Sequence, residues 1–211
     1  MYVPAHFDRS ADAPALDALL ERDPFVTLVS QHEGAPMATH LPVLARRDGD
    51  GLYLRGHWAR PNPQWPSITG QTVLAIVHGP HAYVSPRWYP DPMRAVPTWN
   101  YAIAHLYGPI RLVTDEHELL ALVDALARRF ETGPAPWRLA DTEPAAQRMV
   151  AGIVGFELTV TRVELKHKLS QNHVPERVAG AIAGLRAEGG EAGAEVAALM
   201  AQALAARQAA P

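Results

Sequence analysis

From Thr98 to Val113 the chain is long and extended, with Trp99, Tyr101, Ile103, His105 and Tyr107 alternating on one side. A period of two over so long a run is a β-strand. Its backbone donors and acceptors demand further strands beside it. The chain provides them. Phe25 to Ser30 is β-branched and strand-like, and the turn at His32-Glu33-Gly34-Ala35 folds it onto a second strand, Met37 to Ala45. Asp48-Gly49-Asp50-Gly51 is a turn into a third strand, Gly51 to Arg55. Thr72 to Val77 is nearly all apolar and reads as a strand buried on both faces. Gly79-Pro80 bends the chain before a further extended piece, His81 to Pro86. Ile153 to Leu169 is the last long strand, and its hydrophobic parity changes near Thr161-Arg162, where a bulge would restore it.

Helical spacing occurs at Pro14 to Arg22, at Asp115 to Arg129 and, more briefly, at Pro144 to Ala151. From Glu176 the composition turns to Ala, Gly and Glu, which reads as two short helices broken at Gly189-Gly190. Six or so strands with helices inserted late predict a mainly β fold with peripheral α-helices, a closed or partly closed β-barrel. The expected organisation is a barrel over residues 1–172 and a helical extension over 173–211, packed on it.

With 211 residues and 48% hydrophobic content the chain can bury a real core. It has no cysteine, which excludes disulfides, thiolate nucleophiles and cysteine zinc sites. The 19 Lys and Arg against 22 acids leave a net charge of −3, against any chain-wide attraction to nucleic acid or acidic membranes. No long apolar run or basic-then-apolar leader occurs, so the expectation is a soluble, cytoplasmic protein.

Gly56-His57-Trp58-Ala59-Arg60-Pro61-Asn62-Pro63-Gln64-Trp65 sets a cation, an imidazole, amides and two indoles between prolines. A flat, partly apolar molecule with an anionic tail needs such a mixture. Arg60 offers a charge-assisted fork, and Asn62 and the backbone around His57 and Ala59 offer neutral donors for a phosphate. The plainer alternative pairs Arg60 with a surface acid and lets the tryptophans plug a barrel end. At Thr39-His40-Leu41-Pro42 a proline late in a strand frees a carbonyl for a heteroaromatic N–H, or simply ends an edge strand. Trp99 and Tyr101 can wall a planar ring, with Asn100 on the opposite side of the strand, or can pack as ordinary core aromatics. Lys166, Lys168 and Ser170 share one side of a strand end, followed by Gln171 and Asn172. They form either a donor-rich ligand edge or a solvated terminus. The ten histidines lack the spacing of a metal site, and no metal is expected. No nucleophile elbow, phosphate loop or dinucleotide fingerprint is present, so no catalytic residue is assigned and any chemistry belongs to a bound cofactor.

Several segments then occur in a telling order: Met1-Tyr2-Val3-Pro4 with His6-Phe7, Ala38 to Pro42, Gly56 to Trp65, Gly79 to Tyr89, Val96 to Tyr101, and Lys168 to Asn172. Together they resemble the PaiB-type family of FMN-binding negative transcriptional regulators, from residue 1 to about residue 185. Trp58 and His167 depart from it, standing where a smaller aliphatic and an aromatic are common. The resemblance implies a split β-barrel of the flavin-reductase and pyridoxamine-oxidase type, a homodimer with FMN in clefts at the subunit interface. It implies that Arg60 and Asn62, with His57, Ala59 and Trp65 around them, grip the phosphate and ribityl chain. Thr39, His40, Leu41 and Pro42 then lie along the isoalloxazine edge, and Trp99, Asn100 and Tyr101 line the cleft. Lys168, Ser170, Gln171 and Asn172 form the last cofactor-side segment. It implies a regulator sensing flavin or redox state. The acidic balance and the lack of a basic recognition helix speak against direct DNA reading. A flavin-dependent oxidoreductase and a haem or metal module are the alternatives.

Overall fold

The computed structural model describes residues 1–209. In chain order the elements are α1 (Ala13–Arg22), β1 (Phe25–His32), β2 (Ala35–Pro42), β3 (Leu44–Asp48), β4 (Gly51–Ala59), β5 (Thr72–Val84), β6 (Thr98–Val113), α2 (Glu116–Phe130), α3 (Pro144–Gln147), β7 (Ile153–Val160), β8 (Arg162–Lys168), α4 (Pro175–Glu188) and α5 (Gly190–Ala209). Seven strands follow one another in the order β2-β1-β5-β6-β7-β4-β3, and β8 pairs with β6. The registered pairs are antiparallel. The fold is therefore mainly β with helices outside the sheet, as the pattern predicted.

Four local expectations change. The strand expected from Met37 to Ala45 breaks at Val43. β2 stays paired with β1, and β3 turns to pair with β4. Pro42 has no N–H to carry the ladder on, and Val43 N–H bonds to the Pro24 carbonyl (2.9 Å) instead. The expected bulge near Thr161 is a full break between β7 and β8, with Thr161 N–H on the Tyr107 carbonyl (2.8 Å). These two breaks turn the expected six or so strands into eight among the described residues. Third, β5 runs straight through Gly79-Pro80. A Cβ at Gly79 would lie 2.5 Å from the Ala102 carbonyl oxygen, so glycine is kept for close approach rather than for bending. Fourth, Thr72 to Val77 is not buried on both faces: Val73, Ala75 and Val77 are buried while their neighbours are not.

The β1–β2 hairpin is closed by Glu33 and Gly34, both at positive φ (50° and 79°), the conformation that matches strand twist in a two-residue loop.

The chain forms two compact units, each assembled from separate stretches of sequence. One holds residues 1–22, 78–104 and 164 onward. Its core joins Ala82 and Val84 of β5 to Leu169 and to Val178, Ala181 and Leu185 of α4, with Val196, Ala197 and Met200 of α5 closing it. An alanine-rich helix is marginal alone, and this packing is what holds α5. The other unit holds residues 23–77 and 105–163. Here Asp115 caps α2, accepting from Glu118 N–H at 3.0 Å. The helix lays Leu119 beside Val113 and Val150. No helix among the described residues is long and apolar enough to cross a membrane.

Candidate functional site

The sequence-predicted residues fall into two groups, one in each unit. In the unit of residues 23–77 and 105–163, β4 continues past the expected loop start and carries His57 and Trp58 as strand residues up to Ala59. Trp58 points into the core, 1% exposed, with its ring 4.6 Å from Phe156. The chain then leaves the sheet in a turn closed by Asn62 N–H on the Ala59 carbonyl (2.9 Å).

Arg60 stands on that turn. Its backbone N–H bonds to the Gly152 carbonyl (2.8 Å), its Nε to the Ala151 carbonyl (2.5 Å) and one terminal nitrogen to the Ile153 carbonyl (3.0 Å). Its own carbonyl accepts from the Trp65 indole N–H (2.8 Å). No acid among the described residues pairs with it, which rules out the surface-acid alternative. The guanidinium is aimed by neutral carbonyls, shares its charge with no acid among the described residues and retains free N–H groups. Thr39 and Asn62 meet beside this turn: Asn62 Nδ2 donates to Thr39 Oγ1 (3.1 Å), and Asn62 Oδ1 accepts from Gln64 N–H (2.8 Å). An unpaired, immobilised arginine beside a hydroxyl and an amide fits the phosphate of a mononucleotide.

Along β2, His40 faces outward and its Nδ1 is 3.0 Å from Thr27 Oγ1. Leu41 is a core residue, 4% exposed. The Pro42 carbonyl lies against Gly56, where a Cβ would come within 2.9 Å of it. His57 is half-buried and its Nδ1 has no partner.

Sequence reasoning missed Gln64. It is fully buried and joins three elements: Nε2 donates to the carbonyls of Leu28 (3.1 Å) on β1 and Met37 (3.0 Å) on β2, and Oε1 accepts from the Trp58 indole (2.9 Å) on β4. Its only sequence signal is a polar residue between Pro63 and Trp65, which reads equally well as a solvated turn.

Burial lowers the pKa of His57, and burial is also the leading cause of the lowered values of His167 and His173. A depressed histidine favours the neutral folded form. It adds stability above the unfolded value of 6.5 and loses it as pH falls from there toward the folded pKa. Stability should therefore be level from pH 8 to 7 and fall below about pH 6.5, by at most about 1.4 kcal/mol per pH unit for each of His57 and His167 and by less for the more exposed His173, and the melting temperature should follow it. Thermal scans from pH 8 to 5 check this, and His57→Leu should shallow the slope. An acid limb of equal steepness in both proteins would remove His57 from this account.

The second group lies in the unit of residues 1–22, 78–104 and 164 onward. Trp99 is 53% exposed and Tyr101 partly exposed on one face of β6, while Asn100 is buried on the other. Asn100 Nδ2 donates to Ser170 Oγ (3.0 Å) and to Met200 Sδ (3.2 Å). Lys168 Nζ donates to Thr98 Oγ1 and to the Trp99 carbonyl (2.6 Å). The Gln171 side chain is spent on backbone, accepting from Leu169 N–H (2.7 Å) and donating to the His167 carbonyl (2.6 Å). Asn172 is exposed. Asn100, Lys168, Ser170 and Asn172 line one cleft of about 560 Å³. Trp99, Tyr101 and Gln171 do not. Among the described residues no three His, Asp or Glu side chains come together as a metal site.

Residues 1–162 match the family model described as "Putative FMN-binding domain". The chain is 34% identical over 181 residues to the "Protease synthase and sporulation protein PAI 2" of Bacillus subtilis, covering 82% of this chain and 83% of that one. Among solved structures, the flavocytochrome Anf3 from Azotobacter vinelandii superposes with a TM-score of 0.61 at 15% identity, covering 79% of this chain and 72% of that one. A FAD and heme binding protein from Mycobacterium smegmatis superposes at 0.56 and 22% identity, covering 74% and 71%. At such identities these two likenesses concern the fold.

Proposed function

The chain belongs to the PaiB-type FMN-binding family, with FMN as its cofactor, and from that premise we propose that it is a flavin-sensing regulator that represses through a partner rather than by reading DNA itself. The observation that carries the flavin half is Arg60, tethered by the carbonyls of Ala151 and Ile153 and unpaired with any acid among the described residues. Asn62 and Thr39 supply the neutral hydrogen-bonding groups beside it. Bound FMN supplies reversible electron transfer at its ring. The protein's own residues hold its anionic end and orient it.

The regulatory half rests on the family. The net charge of −3 supports action through a partner, because direct DNA binding draws most of its affinity from phosphate neutralisation. A homodimer is part of the same reading. It is supported by the exposed aromatic cluster of Trp99, with Tyr83 and His81 each 6.2 Å from it between ring centroids, a surface of the kind that partners cover.

The test is a visible spectrum and size measurement on the purified protein, followed by gel shifts at modest salt. A yellow dimer that forms no salt-sensitive DNA complex is the expected result. A colourless protein indifferent to added FMN would overturn the flavin half, and tight salt-dependent DNA binding the indirect mechanism. Turnover with a nicotinamide donor would favour a flavin oxidoreductase instead.

A further inference from the structure

The cleft of about 560 Å³ has a wall of unusual charge. Lys168, Arg94 and Arg177 line it, and no carboxylate does. Arg177 is engaged, its Nε 2.8 Å from Asp91 Oδ1 and a terminal nitrogen on Oδ2. Lys168 spends two of its three ammonium protons on Thr98 and the Trp99 carbonyl. The Arg94 guanidinium makes no ion pair among the described residues. Burial is the first cause of the lowered pKa of both Lys168 and His173; Lys166, outside the cleft, pushes the first further down, and Arg177 and Lys168 push the second down against the opposing Asp91 carboxylate.

The rest of the cleft is built rather than incidental. Its floor has the hydrogen-bonded pair Asn100 and Ser170, 1% and 3% exposed. Ser170 is held at φ 64°, a left-handed conformation that a non-glycine residue keeps only where the surroundings impose it. On its rim Met93 and Val96 are 95% and 77% exposed, apolar surface that the fold leaves in water.

We propose that this cleft binds a small organic acid, its carboxylate against Lys168 and Arg94 and its apolar body against Met93 and Val96. A carboxylate matches Lys168, whose ammonium meets only neutral oxygens, and Arg94, which makes no ion pair among the described residues although Asp91 lies within electrostatic range. An apolar body covers the exposed rim, which a bare inorganic anion would not. The resemblance placed Lys168, Ser170 and Asn172 beside the flavin. The proposal gives them a second ligand, and it does not depend on the flavin reading.

The test titrates the full chain calorimetrically with hexanoate and benzoate, each against its neutral amide and against inorganic phosphate, with and without saturating FMN. Either acid should bind saturably and at least tenfold tighter than its amide, with the same affinity whether or not FMN is present. Phosphate should bind more weakly than the acids. Arg94→Ala and Val96→Asp alter exposed side chains and should fold normally; each should weaken the acid at least fivefold. Equal binding of acid and amide, or no saturable binding, overturns the proposal. Tighter binding of phosphate overturns the apolar half. Loss of acid binding when FMN is added assigns the cleft to flavin and also overturns it. Acid binding by a protein that takes up no FMN would defeat the flavin reading and leave the cleft standing.

Discussion

Arg60→Ala should weaken FMN binding by about 1.5–3 kcal/mol, roughly ten- to more than a hundredfold, and should change riboflavin binding less than twofold. The two flavins differ only in the phosphate. A side chain acting on the phosphate loses its contribution with FMN and has none to lose with riboflavin. The structure explains why the effect is large. The guanidinium is already fixed by the Ala151 and Ile153 carbonyls, so little side-chain entropy remains to be lost on binding, and no acid among the described residues shares its charge. Arg60→Lys should restore only part of the affinity, because an ammonium lacks the planar fork that meets two carbonyls and an anion together. The substituted residue is exposed and its released carbonyls can take water, so stability should change little. Quenching of flavin fluorescence gives both affinities. Equal weakening of FMN and riboflavin would take Arg60 away from the phosphate.

Gln64→Leu should cost about 3–5 kcal/mol of stability, although it keeps a similar volume and adds apolar surface. Three groups lose their partner at once: the Leu28 and Met37 carbonyls and the Trp58 indole N–H. Trp58 and Leu28 are essentially without solvent access, so water cannot take over at those positions. At roughly 2–4 °C per kcal/mol for a chain of this size, the variant should melt about 6–20 °C lower. Trp58→Phe is the control. It removes one N–H and some ring volume while leaving the two carbonyls satisfied, and should cost clearly less. The Gln64 backbone N–H donates to Asn62 Oδ1, so a shift of this segment when the buried amide is lost should also loosen the Arg60 turn. FMN affinity of Gln64→Leu should fall even well below its melting temperature. A melting point within a few degrees of the parent would mean that the buried amide is not the hub its contacts describe.

Periodicity identified the strands because a strand shows its pleat in one dimension: the sixteen-residue alternation of β6 and the hairpin at Glu33-Gly34 need only neighbours in sequence. The same holds for α2, with its apolar stripe and its Asp115 cap. Arg60 and Asn62 stood out as candidates because a charged fork and an amide alternating with Pro61 and Pro63 are rare together. What failed were the judgements that required knowing a partner distant in sequence. Pro42 marks where a ladder must stop, but only the placement of β4 shows that the chain beyond Val43 pairs elsewhere. Trp58 and Trp65 look equivalent in sequence. One is sealed in the core against Phe156 and the other bonds to the carbonyl of Arg60.

The sequence by itself determined the class of fold and the family, and it nominated Arg60 and Asn62 as groups for an anion, since all of this is written in local spacing and residue type. Only the tertiary structure decided that Gln64 is a buried junction, that Arg60 is tethered rather than salt-bridged, and that Asn100, Lys168, Ser170 and Asn172 face one cleft while Trp99, Tyr101 and Gln171 do not. Those outcomes depend on which backbone carbonyls, tens of residues away, arrive beside a side chain. Long-range packing fixes that, and no local pattern encodes it.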